Sequence, residues 1–164
     1  MNQRLRNIAF CTLALAAAAA ASAATVSTRS IASATALQLA QQTVAACSAD
    51  GYNVSASVLD RSGVLLAMVR ADGAGPHTVE ASRAKAFTSA SSRNPTSGIA
   101  KAIQSNPDAA GMAHIPGFLV LGGGVPLKTG NETIGAIGVA GAPGGHLDEA
   151  CAQKAITALK DQLQ

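Results

Sequence analysis

The stretch from Asn53 to Arg70, NVSASVLDRSGVLLAMVR, decides the fold class. Asn53–Leu59 alternates, with Val54, Ala56 and Val58 on one side, the period of a β-strand. Asp60-Arg61-Ser62-Gly63 is hairpin-turn chemistry, in which Gly supplies the positive φ that a tight reversal needs. Val64–Arg70 then reads as the returning strand. Two strands joined so closely must run antiparallel, because a parallel pair needs a long crossover.

On the N-terminal side, Ala34–Cys47 has helical composition, with Leu37, Leu39, Val44 and many alanines. Ser33 is its expected N-cap, and Ser48-Ala49-Asp50-Gly51 ends it. On the C-terminal side comes a Gly- and Pro-rich loop, Ala71–Pro76, then a helix over His77–Ser91 and a short one over Asn94–Gln104, capped by Thr96 or Ser97. Ser105–Pro116 reads as irregular. Gly117–Leu121, Val125–Lys128 and Thr133–Ala140 read as three short strands, joined by Gly122-Gly123-Gly124 and by a turn at Gly130-Asn131. Leu147–Leu163 closes the chain as a helix with Leu147, Cys151, Ala155, Ala158 and Leu159 along one stripe. The expected class is therefore α/β in the α+β sense. A five-stranded antiparallel sheet is flanked by helices, the first and last of them on one face. At 164 residues the chain has room for one domain.

The N-terminus reads as an export signal. Arg4 and Arg6 lie in a segment without acids, Ile8 to about Ala20 is apolar except for Thr12, and Ala21-Ser22-Ala23 sets small residues at cleavage spacing. Cleavage is expected after Ala23, with Ala24 as the near alternative, making residues 1–23 a secretory signal peptide and 24–164 a single periplasmic or secreted domain. The apolar run is shorter than the roughly 20 residues of a membrane-spanning helix, and no longer one follows. The net charge of +3 includes Arg4 and Arg6, so removing them leaves about +1 by subtraction. With no Trp, one Tyr and three Phe, base-stacking recognition of nucleic acid is also disfavoured.

Beyond the signal, only Cys47 and Cys151 remain, an even pair suited to an oxidising compartment. They meet as a disulfide if the first and last helices run antiparallel, and otherwise stay two buried thiols; the sequence leaves both open. Two Cys and three scattered His show no zinc spacing. Gly122–Gly124 lacks the Lys-Ser/Thr ending of a phosphate loop.

Six short blocks occur in order: Val58–Gly63, Arg70–Ala74, Lys85–Thr88, Gly123–Pro126, Gly135–Gly141 and Asp148–Ala152. Together they resemble the haem-binding GlcG/HbpS family, over a domain from about Ser33 to the C-terminus. Two departures are Ala71, where a methionine is usual, and Ala140, where a serine is usual. The resemblance implies a profilin-like fold, homo-oligomeric assembly and, in some members, haem binding. Secreted members are haem-binding or haem-sensing accessory proteins, and others are linked to glycolate utilisation or cobalamin metabolism.

The densest polar stretch runs from Arg70 to Lys85 and holds Arg70, Asp72, His77, Glu80 and Arg83. A haem site needs an axial donor, an apolar slot and a cation for the propionates. His77 at a helix start, or His114 in the irregular segment, is the candidate iron ligand, with Met112 as a weak thioether donor. Arg70, Arg83 and Lys85 are candidate propionate partners, and Phe118 with Leu119, Val120 and Ile115 a candidate apolar wall. Plainer readings stand beside these: Arg70–Asp72 as a structural ion pair, and Asp148 and Glu149 as complements to a helix dipole. The expected role is an exported haem (tetrapyrrole)-binding accessory protein in sensing, storage or uptake. The rival is a small-molecule enzyme in which Lys85 and Asp72 form an acid/base pair acting on a small carboxylate or carbonyl compound.

Overall fold

In the computed structural model, which describes residues 24–164, the expected hairpin is formed by β1 (Ser55–Asp60) and β2 (Leu65–Arg70). The segment read as an export signal lies outside the described residues. The turn is held as its residues predict: the Asp60 carboxylate accepts the Ser62 and Val64 amides at 2.8 and 2.9 Å, and Gly63 adopts φ +83°. β3 (Gly124–Thr129) and β4 (Glu132–Ala140) form a second hairpin, and β4 pairs antiparallel with β1, giving the order β2-β1-β4-β3.

The sheet thus has four strands, not five. Gly117–Leu121 does not join it, because side chains satisfy its backbone instead. The Leu119 amide donates to the Thr88 hydroxyl at 2.8 Å, and the Leu121 carbonyl accepts from Thr96 at 2.6 Å. The stretch is strapped to helices rather than laddered to a strand.

Helix α1 (Ser33–Ala49) and α4 (Gly145–Ala158) pack on one face of the sheet, while α2 (His77–Ser92) covers β1, β4 and β3 on the other. The α1/α4 face holds the main core, where Leu39, Ala40, Val58, Leu127, Ile137, Val139 and Ala152 are fully buried or nearly so. Cys47 of α1 and Cys151 of α4 are joined as a disulfide with Cα atoms 5.3 Å apart, which settles the alternative left open above.

The second face is polar yet buried. The alternation of β1 puts Ser55 and Ser57 opposite Val54, Ala56 and Val58, and these serines meet α2 rather than water. Ser55 pairs with Thr78 at 2.7 Å and Ser57 with Ser82 at 2.8 Å. The helix can lie this close because β4 offers Gly138 beneath it: a Cβ there would fall 2.0 Å from the Ser82 carbonyl oxygen. α3 (Thr96–Ser105) and a 3-10 turn, Pro107–His114, follow α2. None of Ser33, Thr96 and Ser97 is the cap of its helix: all three are helical, and α1 and α3 follow Ala32 and Pro95, neither of which makes a side-chain capping bond.

Candidate functional site

Where β4 ends, a crossing loop, Gly141-Ala142-Pro143-Gly144, leads from the sheet into α4. That crossing walls a cavity of about 370 Å³. One side is the α2 stripe His77, Ala81 and Lys85, spaced four residues apart and so on one helical face. Leu119, Leu121 and Gly122 form a second side, and Ala140–Gly145 with Asp148 the third.

Its floor is an ion pair. The Lys85 ammonium donates to an Asp148 carboxylate oxygen at 2.8 Å and to the Val139 carbonyl at 3.0 Å, with Lys85 only 5% and Asp148 only 2% exposed. The other Asp148 oxygen accepts the Ala142 amide at 3.0 Å, fixing the crossing loop. Burial pushes the Asp148 carboxyl above its ordinary range, against the lowering pull of Lys85 and of the Ala142 amide. Removing one member of such a pair strands a buried charge and costs about 3–5 kcal/mol. Glu149 holds the neighbouring loop, accepting from the Ser97 amide and hydroxyl and from the Gly123 amide. Both acids therefore do more than complement a helix dipole.

Of the residues singled out in the sequence, the cavity gathers His77 and Lys85 and, from the expected apolar wall, Leu119. The His77 imidazole lies over Gly75, where a Cβ would stand 2.7 Å from its Cε1. Phe118 points elsewhere: its ring meets Phe87 edge-on at 6.1 Å between centroids. His114 is exposed at the end of the 3-10 turn and does not line the cavity. Met112 lines a different, mainly apolar groove of about 510 Å³ with Pro95, Ile99 and Ala102. Arg70 donates to the Ala74 carbonyl, not to Asp72, and Asp72 is exposed. The carboxylate beside Lys85 is Asp148, so the Lys85–Asp72 acid/base pair does not exist in this fold. The sequence marked Asp148, in the Asp148–Ala152 block and in the first turn of the last helix, but not its pairing with Lys85, because the two lie 63 residues apart.

A family model described as haem degrading protein HbpS-like matches residues 31–157. Protein GlcG of Escherichia coli strain K12 is 34% identical over 113 residues, covering 64% of this chain and 83% of GlcG. A double mutant of HbpS from Streptomyces reticuli superposes with TM-score 0.77 at 38% identity, covering 82% of this chain and 90% of that one. The PduOC:heme complex, at 24% identity and TM-score 0.73 over 79% of this chain and 94% of that one, shares the fold. The family model spans most of the chain and HbpS repeats its architecture, so this chain belongs to the GlcG/HbpS family.

Proposed function

We propose that this chain is an exported accessory protein that binds haem in the cavity between α2 and α4, serving haem sensing, storage or uptake. The observation that carries the reading is the meeting in one cavity of the residue types a haem site needs. His77 would supply the nitrogen donor to the iron, Ala81, Leu119, Leu121 and Pro143 would face the porphyrin, and Lys85 would be the buried cation. The volume falls within the range of small-molecule sites. Haem, when bound, supplies an iron centre for axial ligation and redox chemistry. The chain's own part would be to hold the group through His77 and Lys85. Membership of a family described as haem degrading and HbpS-like supports the same ligand.

Absorbance titration of the purified protein with hemin tests this. A saturable Soret band that is lost or shifted in His77→Ala and unchanged in His114→Ala is the expected result. A featureless, non-saturating response overturns it.

Export is supported by the three-part N-terminal pattern and by the Cys47–Cys151 disulfide, a bond that persists in oxidising compartments. Mass analysis of periplasmic protein should find a chain beginning at Ala24. Assembly with further copies is supported by the two sheet edges. β3 carries Pro126 and an exposed Lys128, both devices that blunt an edge, whereas β2 carries exposed Leu65 and Met68 and a charge only at its last residue, Arg70. Met68→Lys should lower the mass measured by light scattering; an unchanged mass would exclude this edge.

A further inference from the structure

Two walls of the cavity between α2 and α4 are fixed, and the third is built differently. Helix α2 is seated on the sheet through Ser55–Thr78 and Ser57–Ser82. The crossing loop is pinned by the bond from the Ala142 amide to Asp148 and by the close contact of Gly141 with the Asn53 carbonyl. The wall Leu119–Gly122, by contrast, makes no backbone–backbone hydrogen bond among the described residues. Two hydroxyls hold it instead, Thr88 on the Leu119 amide and Thr96 on the Leu121 carbonyl. Its ends are anchored: the Phe118 ring rests on Phe87, and the Gly123 carbonyl accepts the Val139 amide. Between the anchors it is little packed, since Leu121 lines the cavity and is 57% exposed.

Where this wall reaches α4 the contact is bare backbone. A Cβ on Gly145 would stand 2.6 Å from the Gly122 carbonyl oxygen, and one on Gly122 would stand 3.1 Å from the Gly145 carbonyl carbon. The two backbones touch, yet no hydrogen bond crosses between them. Such a seam parts without breaking a bond. It also bounds the cavity at about 370 Å³, near the small end of the roughly 300–1,000 Å³ typical of sites for drug-sized ligands. A tetrapyrrole is larger than those ligands, so a wall has to move for one to enter. Local opening is easiest where the ties are single side chains.

We propose that Leu119–Gly122 is a flap that swings off Gly145 to admit the ligand and closes over it, with Thr88 as the positioning residue that sets how often it opens. The inference rests on the haem reading for the identity of the ligand and extends it to the ligand's entry. Thr88 does not line the cavity; it acts through Leu119, which does.

Thr88→Val tests this, because it keeps a branched side chain and removes the acceptor of the Leu119 amide. The other bond of that hydroxyl, to the Ala84 carbonyl, is internal to α2. Thr96 is less suitable, since its hydroxyl also accepts the Gly124 amide of β3. Loss of one hydrogen bond worth about 1 kcal/mol raises the open fraction about fivefold. In stopped-flow mixing with hemin, Thr88→Val should therefore speed uptake and release alike, each about fivefold, leaving Kd and the Soret position unchanged. Thr88→Ser, which keeps a hydroxyl, should restore the slower rates. A weaker Kd at an unchanged uptake rate, or no change in either, would mean a static wall and overturn the flap. Hydrogen exchange of the unmodified, ligand-free, 15N-labelled protein needs no variant and separates the flap from the haem reading. The Leu119 amide should exchange at least about tenfold faster than the Val139 amide of the sheet. Equally slow exchange of the two overturns the flap whether or not hemin binds. Fast Leu119 exchange in a protein that gives no saturable Soret band keeps the flap and removes the haem reading.

Discussion

Gly138→Ala isolates the contact on which the site is built. Gly138 lies in β4 directly under α2, and a Cβ on it would stand 2.0 Å from the Ser82 carbonyl oxygen, 2.4 Å from the Ala86 nitrogen and 3.0 Å from the Ala86 Cβ. Two of the three are backbone atoms of a regular helix, so no side chain can swing away. To regain van der Waals contact, α2 must withdraw by roughly 1 Å or more. Overpacking of this kind costs about 1–3 kcal/mol. The withdrawal also stretches Ser57–Ser82 and Ser55–Thr78, now 2.8 and 2.7 Å, in a buried layer where each bond is worth about 1 kcal/mol. The expected loss is therefore about 3–5 kcal/mol, read as a fall in the urea midpoint with an unchanged slope. Gly98→Ala is the control: a Cβ there has nothing within 4 Å, and its helical position favours alanine by about 1 kcal/mol. If Gly138→Ala lost less than about 1 kcal/mol, below the usual cost of overpacking, the direct seating of α2 on the sheet would be wrong.

The remaining expectations concern the ties around this contact. Replacing Cys47 and Cys151 together by alanine frees a loop of sequence separation 104, and should cost about 3–5 kcal/mol in urea unfolding; equal stability of the oxidised and reduced protein would contradict the cross-link. Lys85→Met should cost about 3–5 kcal/mol, and Lys85→Met with Asp148→Leu should recover most of it; a double mutant no better than the single would show that the pair is not the cause. Hydrogen bonding from Arg29, with Arg61 beside it, holds Glu132 below the ordinary carboxylate value of 4.5. Its stabilising share is thus present above that value and is lost as pH falls through the depressed one. Glu132→Gln should flatten that acid limb of the stability curve, and an identical limb in both proteins would rule the cluster out. Asp148 has the opposite sign: its raised carboxyl favours the folded state at low pH, and that advantage disappears as pH rises through its folded value.

The hairpin, the four helices and the packing of the first and last of them on one face were legible in residues 34–163 because period, turn chemistry and composition agreed there. The fifth strand was misread for a definable reason. Gly117–Leu121 has strand-like composition, but its hydrogen-bond partners are Thr88 and Thr96, hydroxyls whose reach cannot be seen in a linear pattern. The site was half legible. His77 and Lys85 lie eight residues apart on one helix, so their common face follows from helical geometry alone. Asp148 joins them only through the β1–β4 pairing and the crossing loop, which are long-range facts. Asp72, though close in sequence, sits on a loop whose local bond from Arg70 to the Ala74 carbonyl leaves the acid in solvent.

The disulfide has a consequence in time as well as in space. Its second half lies in the last long helix, and the strand that pairs with β1 at the centre of the sheet begins only at Glu132. A chain emerging N-terminus first therefore carries a free Cys47 thiol through the 104 residues that separate it from Cys151. Helix α2 arrives early on one face of β1, but β4 and α4, which cover the rest, arrive at the end. Such a nascent chain is open to wrong mixed disulfides and to edge pairing for as long as the last 30 or so residues are delayed. How fast those residues are delivered should then govern yield more strongly than the stability of the finished fold.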